Sequence, residues 1–287
     1  MSTTESKSVG MIGLGLLGNA MAERLLAEGF AVTGYDLSEA GRRAFRLLGG
    51  EAVESSAEVW AACDRVILSL PNSGIAAQVL AEAEPYLRPG SLVIDTTTGD
   101  PQDVAAFGPR LEALGAGYLD ATVGGSSKQA RARDVITMVG GRREDFERCE
   151  DVFATFSRQS FHMGPWGSGA RMKLVSNLVL GLNRLVLAEA LGFAEACGLD
   201  QRLALEVLKS SSSYSRVMDI KGQKMLDREY SPDARLTQHL KDVRLMLEEG
   251  ARRGARLPLS ALHRAILEEV EGRGLGDGDN SAVREAF

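Results

Sequence analysis

A glycine-rich stretch near the start of the chain constrains the fold more than any other feature of the sequence. Gly13-Leu14-Gly15-Leu16-Leu17-Gly18 follows an apolar, strand-like segment at residues 9–12 and precedes a helix-like segment at residues 19–26. In a β-α-β unit, the first glycine of this pattern permits a tight turn, the second lets the backbone approach a pyrophosphate, and the third allows the helix to pack closely on the strand. The helix N-terminus then offers unpaired amides to the phosphates. The stretch therefore predicts a dinucleotide-binding loop formed by all six residues.

An acidic residue follows at the expected distance. Asp36 lies eighteen residues after Gly18, at the end of a second predicted strand, residues 31–35. A carboxylate in this place accepts hydrogen bonds from the adenosine ribose and repels a 2′-phosphate, so we expect NAD to be preferred over NADP. The nearby Arg42 and Arg43 leave NADP open. The alternative interpretation is that Asp36 only caps the next helix.

The first half of the chain alternates between two kinds of segment. Short apolar runs alternate with segments of helical periodicity, and the predicted strands are residues 9–12, 31–35, 66–70, 92–94, 118–119, 135–139 and 160–162. Strands that alternate with helices favour a parallel sheet with helices on both faces. We therefore predict an α/β domain of the Rossmann type, with a doubly wound sheet.

The pattern changes after the glycine-rich residues 164–169. Apolar residues cover most of the helical surface of residues 171–197, which predicts a long helix buried on nearly every side. Further helices are expected at residues 200–207, 237–250 and 258–271, and no strand is expected. We predict two domains, a dinucleotide-binding domain at residues 1–165 and an all-helical domain at residues 166–287, joined by the long interdomain helix.

Composition and charge exclude several classes of protein. The 287 residues are 44% hydrophobic and 25% charged, as in folded globular proteins, and the apolar runs are shorter than the roughly 18 residues of a membrane span. A net charge of -6 without a basic block argues against a nucleic-acid or membrane partner. Three scattered cysteines and three histidines predict neither a disulfide framework nor a metal site. The polar N-terminus lacks a basic leader and an apolar stretch, so the expected location is the cytoplasm.

Two polar residues stand out on the predicted long helix. Lys173 and Asn177 are four residues apart and therefore share a face. A lysine on a mostly apolar surface is costly unless it is paired or used. Near an alcohol oxygen it can exchange a proton and stabilise the alkoxide while hydride leaves, and Asn177 could orient either the lysine or the substrate. The alternative is a lysine that extends its charge to solvent beside a polar neighbour.

Several segments in the same order resemble the β-hydroxyacid dehydrogenases, a family that contains 3-hydroxyisobutyrate dehydrogenase, tartronate semialdehyde reductase and sulfolactaldehyde reductase. The resemblance covers nearly the whole chain. It rests on GLGLLGNAMAERL from Gly13, SLPN from Ser69, IDTTTGDP from Ile94, LDATVGGSS from Leu119, GSGARMKLVSN from Gly167 and HLKD from His239.

The resemblance implies roles for particular residues. Lys173 matches the family's catalytic lysine, and Asn177 matches its substrate-orienting asparagine. Lys241 matches a lysine that reaches the cofactor and substrate region. Leu70-Pro71 and Thr98 match positions that contact the cofactor.

The segment that binds the substrate's acid group departs from the family pattern. Many members carry D-A-P-V-S-G-G, whereas this chain has Gly124 in place of the serine. Backbone amides at Gly124 and Gly125 and the hydroxyls of Thr122, Ser126 or Ser127 are the candidate donors. Gly125 stands where sulfolactaldehyde reductases carry an arginine. An acidic substrate is still expected, and its identity is left open.

These observations predict an NAD-dependent oxidoreductase that interconverts a small 3-hydroxy acid and its semialdehyde. The alternatives are a tartronate semialdehyde or sulfolactaldehyde reductase, or a catalytically weak NAD(H)-binding protein. Ser176 stands where decarboxylating 6-phosphogluconate dehydrogenases carry a histidine, and imine reductases generally lack the lysine. The long helix has more apolar surface than one small helical domain can cover, which favours a homodimer or homotetramer.

Overall fold

The computed structural model describes residues 7–287 and divides into two compact units. The first unit ends at Lys173 and contains the sheet, and the second, Leu174–Phe287, is helical. This is the predicted fold class. The predicted domain boundary between residues 165 and 166 stays a prediction. The expectation that no leader is present rests on residues 1–6, which lie outside the described residues.

One mixed sheet forms the centre of the first unit. Its order is β3-β2-β1-β4-β5-β6-β7-β8. The strands from β3 to β6 are parallel, β7 is antiparallel to β6, and β8 is parallel to β7. The strand order reverses between β1 and β4, and a dinucleotide binds at the carboxyl ends of strands at such a reversal. The strands are β1 (Ser8–Ile12), β2 (Ala31–Tyr35), β3 (Glu51–Ala52), β4 (Arg65–Leu68), β5 (Leu92–Asp95), β6 (Gly117–Gly124), β7 (Val135–Gly141) and β8 (Ser157–Gly164).

The sheet differs from the sequence prediction in three respects. The β3 strand was not expected, because two residues are too few to show a periodic pattern. The β7 strand runs antiparallel, whereas alternating strands and helices had predicted a parallel sheet. The β6 strand extends to Gly124, so Thr122 and Gly124 lie in a strand rather than in a loop.

Within the described residues, eight α-helices accompany this sheet, and two groups of them each pack on a separate apolar cluster. Helices α1, α6 and α8 pack together, as do α3, α4 and α5. Helix α1 begins directly after Gly15, three residues earlier than predicted. The helices are α1 (Leu16–Ala27), α2 (Glu39–Leu47), α3 (Ser56–Ala62), α4 (Ser73–Ala83), α5 (Pro101–Glu112), α6 (Ser127–Arg131), α7 (Arg143–Glu147) and α8 (Glu150–Phe156).

The second unit packs its helices around one apolar cluster. Helix α9 begins in the first unit and continues into the second. Helices α9, α10, α12 and α13 match the predicted ones, whereas α11 was not predicted. The helices are α9 (Ser168–Ala196), α10 (Gln201–Ser210), α11 (Arg216–Asp227), α12 (Leu236–Arg252) and α13 (Pro258–Val270), and a final 3₁₀ segment covers Asn280–Ala286.

The prediction that α9 is buried on nearly every side is wrong for the single chain. Val175, Val179, Val186 and Phe193 are 54%, 55%, 62% and 71% exposed. Their spacing places them on one stripe of the helix, opposite residues that pack in the apolar cluster. By length and composition α9 could also cross a membrane, which for a single helix is weak evidence, and 44% of its most apolar window is buried inside the structure.

Candidate active site

The three glycines of the predicted loop have three different surroundings. Gly13 has φ +98°, and a Cβ there would lie 2.3 Å from the backbone oxygen of Ser69. A Cβ on Gly18 would lie 2.0 Å from the oxygen of Gly13. Gly15 is the N-cap of α1, and a Cβ there would meet nothing within 4 Å. Packing therefore requires the outer two glycines, while Gly15 borders open space in front of the helix N-terminus.

The leucines of the loop also differ from one another. Leu14 is buried and its amide donates to Asp36 Oδ2 at 2.7 Å. Leu17 packs partly against the apolar cluster beside α1. Leu16 is 71% exposed and is the first residue of α1. The backbone of this segment thus supplies the helix N-terminal amides that the phosphate-binding prediction requires.

Asp36 lies beside the glycine loop. Its Oδ2 accepts from the Leu14 amide and its Oδ1 accepts from the Ser38 amide, both at 2.7 Å. Ser38 is the N-cap of α2, and its hydroxyl accepts from the Gly41 amide. Asp36 is therefore not the helix cap that the alternative interpretation required. Arg42 donates to the Asp36 carbonyl oxygen and pairs with glutamates, so its guanidinium is engaged on this side.

Residues after β4 and β5 lie at the same sheet edge. The Leu70 amide donates to Thr97 Oγ1 at 3.2 Å, and the Thr97 amide donates to Asp95 Oδ1 at 2.9 Å. Pro71 is exposed and Thr98 is half-buried. The predicted cofactor contacts Leu70, Pro71 and Thr98 therefore follow the carboxyl ends of strands that neighbour the glycine loop. Thr97, which ties the two strand ends together, was not identified from the sequence.

Some polar groups of the predicted substrate segment already have hydrogen-bond partners within the protein, whereas others are accessible to solvent. Thr122 is fully buried and its hydroxyl donates to the Gly169 carbonyl oxygen at 3.1 Å, so the structure argues against the predicted role of this hydroxyl as a substrate donor. Ser126 forms a capping box with Gln129 that occupies its hydroxyl and its amide. Gly124 is half-buried and Gly125 is exposed. The accessible part of the segment is therefore mostly backbone.

Lys173 is directed at this segment. Its Nζ donates to the Val123 carbonyl oxygen at 2.7 Å, and the residue is partly exposed. The ammonium is thus held at the end of β6, next to Gly124, rather than extended along the surface. A cation in this position can exchange a proton with a group bound beside it.

The second unit contains a further linked set of polar groups. Asn177 is 6% exposed, and its Nδ2 donates to Asp242 Oδ2 at 2.9 Å. Lys241 Nζ lies 3.6 Å from Asp242 Oδ1. Asp242 is itself 6% exposed. Sequence reasoning gave no role to Asp242, although its place directly after Lys241 was an available signal.

Two family models together account for most of the chain. The NAD binding domain of 6-phosphogluconate dehydrogenase matches residues 8–164. The model described as NAD-binding of NADP-dependent 3-hydroxyisobutyrate dehydrogenase matches residues 167–287. The first unit is accordingly an NAD-binding domain of the Rossmann type.

Individual proteins resemble the chain over its full length. A 2-(hydroxymethyl)glutarate dehydrogenase of Eubacterium barkeri is 34% identical, across 97% of this chain and 94% of that protein. An L-threonate dehydrogenase of Cupriavidus necator is 30% identical, across 98% and 96%. The solved structure of a Mycobacterium tuberculosis 3-hydroxyisobutyrate dehydrogenase with L-serine has a TM-score of 0.89 at 25% identity, covering 98% of each chain. With the glycine loop, Lys173 and these matches together, the chain belongs to the β-hydroxyacid dehydrogenase family of oxidoreductases.

Proposed function

We propose that this chain is an NAD-dependent dehydrogenase that interconverts a small 3-hydroxy acid and its semialdehyde. The observation that carries the proposal is the position of Lys173, whose Nζ donates to the Val123 carbonyl oxygen at 2.7 Å. A partly exposed ammonium held at the end of a strand, beside backbone that has no side chain at Gly124, suits proton exchange with a bound alcohol or aldehyde oxygen.

The residues present fit a dinucleotide. The open space at Gly15 admits a pyrophosphate next to the first amides of α1, where a side chain would fill it. Asp36 supports binding of the ribose, and its charge disfavours a 2′-phosphate, so we assign NAD as the preferred cofactor. When bound, the nicotinamide ring accepts or supplies the hydride.

Two residues of α9 are assigned to the chemistry. Lys173 donates a proton to the carbonyl oxygen during reduction and accepts the hydroxyl proton during oxidation. Asn177 directs its amide group to Asp242, which fixes the rotamer of its side chain and leaves its Oδ1 as an acceptor. Lys241, beside the same carboxylate, is assigned to the cofactor and substrate region.

The substrate's acid group is assigned to the backbone at the end of β6 and directly after it. Because the Thr122 and Ser126 hydroxyls are engaged, the amides of Gly124 and Gly125 and the Ser127 hydroxyl are the expected donors. The relatives are named for 2-(hydroxymethyl)glutarate and L-threonate, so we include acids with larger substituents among the candidate substrates.

A turnover screen tests this proposal. NAD and NADP would each be offered with 3-hydroxyisobutyrate, glycerate, threonate, 2-(hydroxymethyl)glutarate, 3-hydroxypropionate and sulfolactate, and reduced cofactor would be followed by absorbance. We expect at least one acid to be oxidised, faster with NAD. A protein that binds NADH but oxidises none of the acids and reduces none of their aldehydes would be the catalytically weak NAD(H)-binding protein instead.

The proposal also includes the assembly and location of the protein. The exposed apolar stripe of α9 suits a second copy of this chain, so we expect a homodimer or homotetramer. Sedimentation at micromolar concentration that shows a compact monomer would contradict this. A cytoplasmic location and a domain division between residues 165 and 166 are part of the same proposal.

A further inference from the structure

A buried carboxylate on β6 binds the start of the helix that carries Lys173. Asp120 is 1% exposed. Its Oδ1 accepts from the Gly167 amide at 2.9 Å, and its Oδ2 accepts from the Ala170 amide at 2.8 Å. The first amides of a helix have no partner within the helix, and the helix dipole favours a negative charge there. Asp120 therefore caps α9 from a neighbouring strand, one turn before Lys173.

Two further contacts join the same strand to the same helix. Thr122 Oγ1 donates to the Gly169 carbonyl oxygen, and Lys173 Nζ donates to the Val123 carbonyl oxygen. A Cβ on Gly169 would lie 2.4 Å from the Asp120 backbone oxygen, so the helix and strand are in close contact. Because alternate side chains of a strand share a face, Asp120 and Thr122 both reach the helix. The end of β6 thus holds both ends of the segment from residue 167 to residue 173.

The groups around Asp120 determine when it is charged. On β5, Asp95 accepts a hydrogen bond from the hydroxyl of Tyr118, and in the first two turns of α9 the charged side chains are Arg171 and Lys173. On β7, Gly140 approaches the carboxylate without a side chain. Burial raises the pKa of Asp120 to about 6, the hydrogen bonds from the Ala170 and Gly167 amides oppose that rise, and the charge of Asp95 adds to it.

We propose that Asp120 is a positioning residue, whose ionised carboxylate holds the first turn of α9 so that Lys173 Nζ stays at the end of β6. This rests on the proposed role of Lys173 in proton exchange. The carboxylate accepts from both amides in charge-assisted hydrogen bonds, whereas a protonated carboxyl group loses the charge that strengthens both bonds and that the helix N-terminus favours. Turnover therefore falls when Asp120 takes up a proton.

The pH dependence has opposite signs for activity and stability. Because the pKa of Asp120 is about 6 in the folded chain and 3.8 is its ordinary value, the folded state binds more protons than the unfolded state between these values. The contribution of Asp120 to the free energy of unfolding therefore falls as the pH rises through this window. Activity rises through pH 6 as the carboxylate forms. The same charge that positions the helix thus opposes folding at neutral pH.

Asp120→Asn tests the proposal, because the amide keeps one oxygen acceptor and replaces the other with a donor. We expect kcat at pH 7.5 to fall about 10²-fold, as for a small displacement of a reacting group, with the NADH Kd within about twofold. We also expect the wild-type loss of kcat below pH 6 to be absent in the variant. The matched control is Asp145→Asn, since Asp145 is a 2% exposed carboxylate of the same unit that binds Arg142 and Arg148. It should alter stability and keep the wild-type pH profile.

Amide hydrogen exchange separates this proposal from the proposed function. In Asp120→Asn, the amides of Gly167 and Ala170 should exchange faster than in the wild type at pH 7.5. If these two amides exchange equally fast in the variant and in the wild type, or if the kcat of the variant is within threefold of the wild type, the positioning role is overturned. A wild-type protein without turnover on any hydroxy acid would contradict the proposed function, and the exchange rates alone would then decide whether Asp120 holds the helix.

Discussion

The polar groups around the beginning of α9 and those around its middle differ in their hydrogen bonding. At the beginning, the Asp120 carboxylate, the Thr122 hydroxyl and the Lys173 ammonium each have hydrogen-bond partners. In the middle, Arg184 is 3% exposed, and its Nε and Nη2 have no hydrogen-bond partner among residues 7–287. His263 lies on α13 and is 2% exposed, and its Nε2 also has no hydrogen-bond partner among residues 7–287.

The difference shows which polar groups the chain holds in a fixed geometry. Hydrogen bonds around the beginning of α9 fix the direction of the helix and of Lys173. Around the middle of α9, burial lowers the pKa of Arg184 to about 10, although attraction to Asp279 opposes this. Burial, followed by the charge of Arg184, lowers the pKa of His263 to about 4. Substitutions of the hydrogen-bonded groups around the beginning of α9 should therefore alter turnover, whereas substitutions of Arg184 or His263 should alter stability alone.

The largest effect is expected at Lys173. Lys173→Ala should lose about 10²–10⁴-fold in turnover on every accepted acid, because a positioned acid-base group contributes that much. NADH affinity should be nearly unchanged, as measured by fluorescence titration. Lys173→Arg should restore little, since guanidinium keeps its proton. Retention of more than about a tenth of the activity in Lys173→Ala would show that proton exchange does not depend on this residue.

A substitution at Gly15 should affect the binding of the cofactor rather than the proton exchange at Lys173. A side chain in the open space before α1 would occupy the place of the pyrophosphate, so Gly15→Val should weaken NADH binding by about 10²-fold, or about 2.7 kcal/mol. Gly272→Val is a control, because a Cβ there also meets nothing within 4 Å. The two variants should have similar melting temperatures. NADH affinity that is equal in the two would contradict the assignment of the loop.

Asp36 should have a smaller effect, on cofactor choice. Without its charge beside the ribose, Asp36→Ala should narrow the ratio of kcat/KM for NAD over NADP by about tenfold, or about 1.4 kcal/mol. Ser38→Ala removes the N-cap of α2 and leaves the carboxylate in place, so it should keep the wild-type ratio. A wild-type protein that uses NADP at least as efficiently as NAD would show that Asp36 does not select the cofactor.

Arg184 should have the smallest effect on activity. Arg184→Met replaces a buried charge with an apolar chain, so the free energy of unfolding should stay within about 1 kcal/mol or increase, with turnover unchanged. His263 is neutral in the folded state and its pKa lies below the ordinary 6.5, so its contribution to stability is lost as the pH falls from 6.5 towards 4. This loss should be smaller in Arg184→Met. Destabilisation by more than about 2 kcal/mol in urea unfolding would show that Arg184 has a favourable partner.

The sequence predicted the parts of the fold that produce strong periodic patterns. The glycine loop, the alternation of strands and helices, and the long helix α9 were all expected, and the structure contains them. The strand Glu51–Ala52 and the direction of β7 depend on pairing between distant segments, which periodicity does not show. Helix α11 was not predicted either. Nor could the apolar pattern of α9 distinguish a face that packs in its own chain from one turned outwards.

Candidate site residues could be identified from the sequence where the residue type, in its place along the chain, has few structural roles. Glycines, an acid after the second strand and a lysine on an apolar helix could be identified from the sequence. The engagement of Thr122 could not, because a hydroxyl can serve a substrate or a backbone carbonyl and only the packing of Gly169 decides. Asp120 lay within a quoted motif, but its distance of 47 residues from Gly167 concealed its role as a helix cap.

The central claim is that Lys173 exchanges a proton with the substrate. Its replacement by a chemically similar amine tests this claim most directly. Lys173→Cys would be made with Cys197→Ser, because Cys197 is exposed while Cys63 and Cys149 are buried, and the new thiol would then be aminoethylated. The product carries an ammonium that is more acidic than that of lysine. We expect the unmodified variant to lose about 10²–10⁴-fold in turnover, and the aminoethylated protein to regain reduction of the semialdehyde with the alkaline limb of its kcat profile at lower pH. More than about a tenth of the wild-type turnover without modification, or recovered reduction with an unshifted alkaline limb, would contradict proton exchange by residue 173.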